Sequence, residues 1–429
     1  MLSKEVIKDI ILDNGRFILS EVKNIVPRRH IFEPESKIKK VKILYGTRRS
    51  GKTFILYDIF KRNKDKSLYI DFEDERLFGV GIEDLQRIKD AFFELKPELI
   101  NKSDIIFCFD EIQNVNGWER FVRRVVEREN IDVWVAGSSS KITPRYINTS
   151  LRGRGWSIPV YPFSFEEYLT ATGLSLKDLL YGKGKSLLLK SLDAYLRFGG
   201  YPEVVLSAND FTRKKILDEY MRAMILRDLI ENFQIKNITL FNNLQEALFT
   251  SLASKYSSSS FYKQFRGKFP FSKTLLFKYY NYFIESLLLY EVRLFTQSPY
   301  KRRRNPPKIY LVDIGLSLPR TNDKLGRALE NLVYLDLRRH GYEIYYYGGE
   351  GECDFVGYDT KGKFYAIQVA WELTEKNQER ELSGLIEACK RFRLKRGYII
   401  TRDQDSIHKE DGIVINIVSY IHWLQALQM

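Results

Sequence analysis

The 429-residue chain is poor in cysteine, histidine and unbroken apolar sequence, and each scarcity removes a class of protein. Its three cysteines, Cys108, Cys353 and Cys389, are scattered and form no C-x-x-C pair. That excludes a disulfide-stapled secreted domain and makes a reducing cytoplasm the expected compartment. Four histidines with no His/Cys cluster argue against a structural zinc site. No apolar run reaches the roughly 18 residues of a membrane-spanning helix, and the opening MLSKEVIKDI reads as an amphipathic helix rather than a signal peptide. Acidic residues are also in deficit, 55 Asp+Glu against 69 Lys+Arg, for a formal net charge of +14. The deficit is concentrated. Between Lys255 and Lys308, twelve Lys/Arg stand against two acids, Glu285 and Glu291. Such a window points to a partner with a phosphate backbone, the alternative being a solvated basic surface.

What is present is more specific. Val41–Tyr45 is a short apolar run, and Gly46-Thr47-Arg48-Arg49-Ser50-Gly51-Lys52-Thr53 follows it, with a helical stretch after that. G-x-x-x-x-G-K-[ST] between a strand and a helix is a phosphate-binding loop. The glycines let backbone N–H groups turn inward toward a β-phosphate, and the helix N-terminus adds positive potential. Lys52 would bridge the β- and γ-phosphates of ATP, and the Thr53 hydroxyl would ligate Mg²⁺.

A second motif supplies chemistry. The run Ile105–Phe109 is apolar throughout, as in a strand buried on both faces, and ends in Asp110-Glu111. Asp110 can hold the Mg²⁺ shell, and Glu111 can act as general base on the attacking water. A third run, 132–136, leads into Gly137-Ser138-Ser139-Ser140, where a hydroxyl either senses the γ-phosphate or caps the next helix. With strand candidates at 67–72 and 156–160, residues 41–160 alternate strand and helix, and a parallel sheet is expected.

Residues 162–235 read as helical, broken at Gly199-Gly200-Tyr201-Pro202, with Ser164 and Glu167 spaced as a capping box. Residues 243–297 read as helix, turn, helix and strand, a winged-helix pattern. Its second helix, Leu275 to Leu288, would carry Lys273 and Lys278 near an exposed face, and the basic run Lys301-Arg302-Arg303-Arg304 would sit near the wing, the alternative being a solvated basic loop. Residues 308–429 read as a separate α/β unit. The expected domains are an N-terminal helical segment 1–40, an ATPase core 41–161, a helical lid 162–240, a winged-helix-like DNA-binding domain 241–304 and an α/β domain 305–429.

Motif order along nearly the whole chain resembles the archaeal and bacterial AAA+-type ATPases that carry a C-terminal domain related to the PD-(D/E)XK nucleases. The matching stretches are Gly46–Thr53, Phe72-Glu73-Asp74, the run from Phe109 to Trp118, Ala136–Lys141, Leu151-Arg152-Gly153-Arg154, Tyr161–Phe165, Phe198–Glu203 and Leu226-Arg227-Asp228. The resemblance implies a parallel-sheet ATPase core with a helical lid and a restriction-endonuclease-like α/β domain. It places Ser139 where the family usually has an asparagine sensor. It places Arg152 and Arg154 where an arginine reaches the γ-phosphate of a neighbouring subunit, which requires a homo-oligomer, a hexameric ring being the expected form; the alternative is two ordinary surface arginines. It also makes Glu330, Asp354 and Gln368 the candidate metal set of the nuclease-like domain. The lysine of the last triplet, however, is Ala370, with Lys361 or Lys363 as substitutes from the neighbouring hairpin. A degenerate DNA-binding or structural domain is expected over an active nuclease. Three functions follow: an ATP-driven motor on duplex or branched, Holliday-type DNA; a nucleotide-switch or defence regulator with a protein partner; and an ATPase-coupled Mg²⁺-dependent nuclease.

Overall fold

A computed structural model describes residues 2–31, 33–34, 38–137, 142, 147, 149–176, 183–317 and 325–427. The chain forms two compact units, Met1–Phe163 and Ser164–Met429.

The first unit is built on five parallel strands, β1 Val41–Tyr45, β2 Ser67–Asp71, β3 Ile106–Asp110, β4 Asp132–Gly137 and β5 Gly155–Pro159, in the order β2-β3-β4-β1-β5. Alternation along each strand feeds two apolar layers. Ile43, Phe107, Phe109, Val133 and Val135 face Leu85, Ile88 and Phe92 of helix Ile82–Leu95 and Phe121, Val122 and Val125 of helix Trp118–Arg128. Leu44, Cys108, Trp134 and Ala136 face Ile55, Leu56 and Phe60 of helix Lys52–Arg62. The N-terminal helix Lys4–Ser20, capped by the Ser3 hydroxyl accepting the Val6 N–H, is part of this core and not a separate segment, because Ile7 and Ile10 join the first layer. All three cysteines are buried and free, and burial pushes the Cys108 thiol up.

The second unit opens on the expected capping box. Ser164 Oγ accepts the Glu167 N–H at 3.2 Å, and Glu167 Oε2 accepts the Ser164 N–H at 3.0 Å. The helices that follow, which sequence reasoning assigned to a lid, are tied to C-terminal residues. Arg402 donates to both carboxylate oxygens of Asp193, at 2.9 and 2.8 Å. Asp313 accepts the Gly200 N–H at 2.7 Å and the Gly315 N–H at 2.8 Å. Gly199 has φ 75, and a Cβ there would lie 1.7 Å from Asp313 Oδ1. Gly199→Ala is therefore expected to lower the midpoint of thermal unfolding by on the order of 10 °C, through left-handed strain and loss of a buried carboxylate's partners. An unchanged midpoint in a far-ultraviolet circular dichroism melt would contradict this.

Helix Ile238–Thr250, β6 Ser254–Lys255, helices Ser258–Phe265 and Lys273–Glu285, β7 Leu289–Leu294 and β8 Lys308–Leu311 follow in sequence, with β8 antiparallel to both β6 and β7. Helix Lys273–Glu285 stops three residues before the expected Leu288, because Leu287 turns left-handed at φ 64. Lys301–Arg304 forms the end of a short helix, Pro299–Arg304, with the Ser298 hydroxyl as its cap. Strand β8 follows that helix. It closes the small sheet with β6 and β7, while β7 also pairs in parallel with β9 Glu343–Gly348. The remaining strands are β10 Glu352–Tyr358, β11 Phe364–Val369, β12 Arg396–Thr401, β13 Ser406–Glu410 and β14 Ile413–Ser419. Together they make one nine-stranded sheet, β13-β14-β12-β11-β10-β9-β7-β8-β6. Among the described residues no helix is long and apolar enough to cross a membrane.

Candidate functional site

The C-terminal edge of the first sheet gathers the phosphate loop from β1 and the acids from β2 and β3, with β4 between β1 and β3. Gly46 is confined by the residue just after β5, since a Cβ there would lie 2.1 Å from the Val160 carbonyl oxygen. Gly51 caps the next helix at φ 99, a backbone state that favours glycine. Lys52 is 4% exposed, and its ammonium donates to the carbonyls of Gly46 at 3.1 Å and Thr47 at 2.8 Å. The Ser50 hydroxyl is buried without a hydrogen-bond partner among the described residues. Arg49 is left-handed at φ 63, and Arg48 lies 4.0 Å from Glu73. A buried ammonium and an unsatisfied hydroxyl inside a curled loop suit a polyphosphate.

Asp110 is 2% exposed. It is hydrogen-bonded to the Thr53 side chain, and its Oδ2 accepts the Tyr69 hydroxyl at 3.3 Å. A hydroxyl and a carboxylate in contact at the base of the loop fit a magnesium ion, which when bound would draw charge from the phosphate oxygens. Burial pushes Asp110 up to about 7, against the lowering effect of the Thr53 hydrogen bond. Burial also raises Asp71, which lies beside it in the β2–β3 register. Ligation would need the carboxylate, so a proton would have to leave Asp110 as Mg²⁺ arrives, and affinity would rise with pH through 7. Affinity for Mg²⁺·nucleotide is expected to fall about ten-fold from pH 8 to pH 6. In Asp110→Asn the residual affinity should be flat over that range; a pH-independent wild type, by fluorescence titration of a labelled nucleotide, would refute this.

Glu111 follows at φ 47, ψ 40, an unusual backbone state for a non-glycine residue that turns its side chain off the strand end. Its N–H donates to Asp110 Oδ1 at 3.0 Å, and the Gln113 amide nitrogen donates to Glu111 Oε2. Gln113 Oε1 is buried without a partner among the described residues and packs against Gly137 at the end of β4. Sequence reasoning gave Gln113 no role; only the fold places it between the candidate base and the β4 terminus.

Ser139, with its neighbours Ser138 and Ser140, lies outside the described residues. Arg152 and Arg154 are exposed at the start of β5, the edge opposite the phosphate loop, where the Arg154 carbonyl accepts the Val41 N–H at 2.9 Å. Arg154 Nε donates to Glu127 at 2.8 Å. Neither arginine is brought to the loop of its own chain. Arg28 is, and no motif signalled it: one guanidinium nitrogen donates to the Ser50 carbonyl at 2.9 Å, another to the Tyr161 carbonyl, and its carbon sits 5.1 Å from the Phe163 ring centre.

In the second unit the basic residues divide. Lys273, Lys278, Lys301, Arg303 and Arg304 are exposed. Arg302 is not presented in the same way: it donates to the Thr296 carbonyl at 2.6 Å and lies 5.5 Å from the Tyr345 ring centre. Glu330, Asp354 and Gln368 do come together, but around Lys308. The Lys308 ammonium lies 2.6 Å from Asp354 Oδ1, 2.8 Å from Glu352 Oε1 and 3.1 Å from Glu330 Oε1. Asp354 Oδ2 accepts the Val369 N–H at 2.9 Å, and Tyr310 donates to Glu330 at 2.7 Å. Gln368 is engaged at both ends of its amide, accepting from the Asp354 N–H at 3.0 Å and donating to Glu381 at 2.7 Å. Burial pushes Glu330 up to about 7 and raises Asp354. Burial alone would lower Lys308, but the Asp354, Glu330 and Glu352 carboxylates hold it well above its ordinary value. Lys361 and Lys363 do not substitute. They sit in the β10–β11 turn, beyond the far end of β10 from Asp354 and on the order of 15 Å away at ~3.3 Å per residue. Among the described residues no group of His, Cys, Asp and Glu is arranged to hold a metal ion.

Fold and loop together define a P-loop ATPase fold, and the family comparison agrees. A model described as an AAA domain matches residues 38–169, and two models described as domains of unknown function (DUF8612 and DUF4143) match residues 189–322 and 325–420. Uncharacterized protein MJ1544 of Methanocaldococcus jannaschii is 32% identical over 99% of this chain and 96% of its own length, and the chain belongs to its family. An uncharacterized protein of Haemophilus influenzae is 26% identical over 80% of this chain and 85% of its own. Among solved structures, the Walker-type ATPase PABY2304 of Pyrococcus abyssi is similar at TM-score 0.40 and 13% identity, covering 71% of this chain and 93% of that one. The Aeropyrum pernix ORC2 protein is similar at 0.37 and 14%, covering 78% and 94%.

Proposed function

We propose that this protein hydrolyses ATP and binds DNA, coupling turnover to remodelling of, or translocation along, duplex or branched DNA. The observation that carries the hydrolytic part is the convergence of Lys52, Thr53, Asp110 and Glu111 at one sheet edge. Lys52 would release its hold on the loop carbonyls to meet the β- and γ-phosphates. Thr53 and Asp110 would hold Mg²⁺, and Glu111 would take the proton of the attacking water. Arg152 and Arg154, remote from their own loop, suit a finger offered to a neighbour in a ring, a hexamer by family resemblance.

The DNA part draws on the helix–strand–helix–helix–hairpin order of 238–311, on the strand order β6-β8-β7, and on exposed cations along helix Lys273–Glu285 and the hairpin helix. These features support a winged-helix reading with phosphate contacts. One observation favours a second reading, a slow nucleotide switch: Gln113 already engages the Glu111 carboxylate. ATP turnover measured without DNA and with single-stranded, duplex and four-way-junction DNA, at two salt concentrations, separates them. Stimulation by one DNA form that fades with salt supports the motor. Slow turnover indifferent to every DNA supports the switch and sinks the motor.

A further inference from the structure

We infer that the C-terminal domain carries a built-in cation, the Lys308 ammonium, in the carboxylate pocket where a nuclease of this layout would take a divalent metal. The site is therefore a charge-locked clamp and not a cutting centre. An ammonium has three protons to donate and no lone pair. Three carboxylates, from Glu330, Glu352 and Asp354, stand at 2.6–3.1 Å from it. Those are charge-assisted hydrogen-bond lengths from nitrogen. Mg²⁺ needs six oxygens near ~2.1 Å and usually retains water, and the buried Lys308 ammonium, 3% exposed, already supplies the positive charge that these carboxylates would otherwise take from such an ion.

Two further oxygens of the pocket are also engaged. Asp354 Oδ2 is taken by the Val369 N–H, and Glu352 Oε2 by Lys255 at 2.5 Å. The Gln368 amide, spent on the Asp354 N–H and Glu381, braces the backbone of the cluster and points no oxygen at a cation.

The origin of Lys308 gives the clamp a purpose. It lies on β8, four residues after the basic helix Pro299–Arg304, while Asp354 and Glu352 lie on β10 and Glu330 on helix Leu325–Arg339. The ion cluster thus fastens the small three-stranded sheet and its basic helix to the larger sheet. Breaking one member of such a buried cluster leaves charges uncompensated, whereas removing the members together is tolerated.

The test uses the full chain without nucleotide or nucleic acid, so its outcome is independent of the ATPase and DNA readings. Terbium(III) is the probe, because Tyr310 beside Glu330 would sensitise its luminescence. Wild type and Asp354→Asn are expected to give the same titration below millimolar Tb³⁺, so that any luminescence from Asp110 beside Tyr69 is common to both. Lys308→Met, which keeps the length and removes the charge, is expected to add an Asp354-dependent component at least about 100-fold tighter, with competition by Mn²⁺. Saturable wild-type binding that Asp354→Asn removes would overturn the inference, as would a folded Lys308→Met that binds no better than wild type. If Lys308→Met does not fold, the variant carrying Lys308→Met, Glu330→Gln and Asp354→Asn decides: recovered folding supports the charge lock, and continued failure refutes it.

Discussion

Glu111→Gln is expected to bind ATP as tightly as wild type and to turn it over on the order of 10² to 10⁴ times more slowly, the usual worth of a positioned general base. The substitution is isosteric and keeps the backbone N–H that donates to Asp110 at 3.0 Å. The left-handed turn at φ 47 also persists, since it is set by β3 ending and the next short turn beginning. What changes is the capacity to accept a proton. Binding should survive because the loop and Lys52, rather than Glu111, would hold the phosphates. Lys52→Ala would behave oppositely, losing affinity itself. The two are separable by measuring phosphate release alongside titration with a fluorescent nucleotide. Wild-type turnover in Glu111→Gln would remove Glu111 from the chemistry. Gln113→Ala provides the companion: if the amide restrains Glu111, basal turnover rises several-fold, and if it orients Glu111 productively, turnover falls.

Changing Lys273, Lys278, Lys301 and Arg303 together to glutamine is expected to weaken duplex binding by on the order of 10³ near physiological salt and to flatten the logarithmic salt dependence by about 3 to 4, at ~0.9 for each phosphate left without its cation. These side chains are exposed. Helix Lys273–Glu285 gains nothing from the two lysines in its core, which is made by Leu276, Tyr279, Tyr280 and Phe283. Stability should therefore be unchanged, and a melt of the variant controls for it. Arg302→Ala is the contrasting case. Its guanidinium is committed to the Thr296 carbonyl and the Tyr345 ring. Its loss should cost about 1–2 kcal/mol of stability and leave the salt slope in place. An unaltered salt slope in the four-site variant would mean that the basic window meets no phosphate backbone, and the regulator reading would replace the motor.

Some of this was legible in contiguous residues. The phosphate loop, the strand into Asp110-Glu111 and the five short strands of the first sheet are local patterns. A run such as Ile106–Phe109 is buried on both faces whatever surrounds it, and a loop after β1 needs glycines wherever a phosphate is cradled. The Ser164–Glu167 capping box is equally local, since donor and acceptor lie three residues apart. Lys308, by contrast, read as an unremarkable first residue of a strand. Its partners are 22, 44 and 46 residues away, and nothing in its neighbourhood announces them. Arg28 braces the loop from a connector that carries no periodic signal. Arg302 is indistinguishable in sequence from Arg303 and is separated from it only by the direction each takes from a single helical turn.

In the first unit a nucleotide loop with an acidic strand end follows from short stretches of chain, because glycine geometry, strand burial and capping are decided within a few residues. Strand pairing and distant contacts decide where the small sheet ends, that the helices after Ser164 belong with the C-terminal residues, and that the carboxylates of Glu330, Glu352 and Asp354 surround an ammonium. Those outcomes depend on strand pairing and on charges brought together across long separations. Their energy comes from desolvated contacts that exist only once the chain has folded.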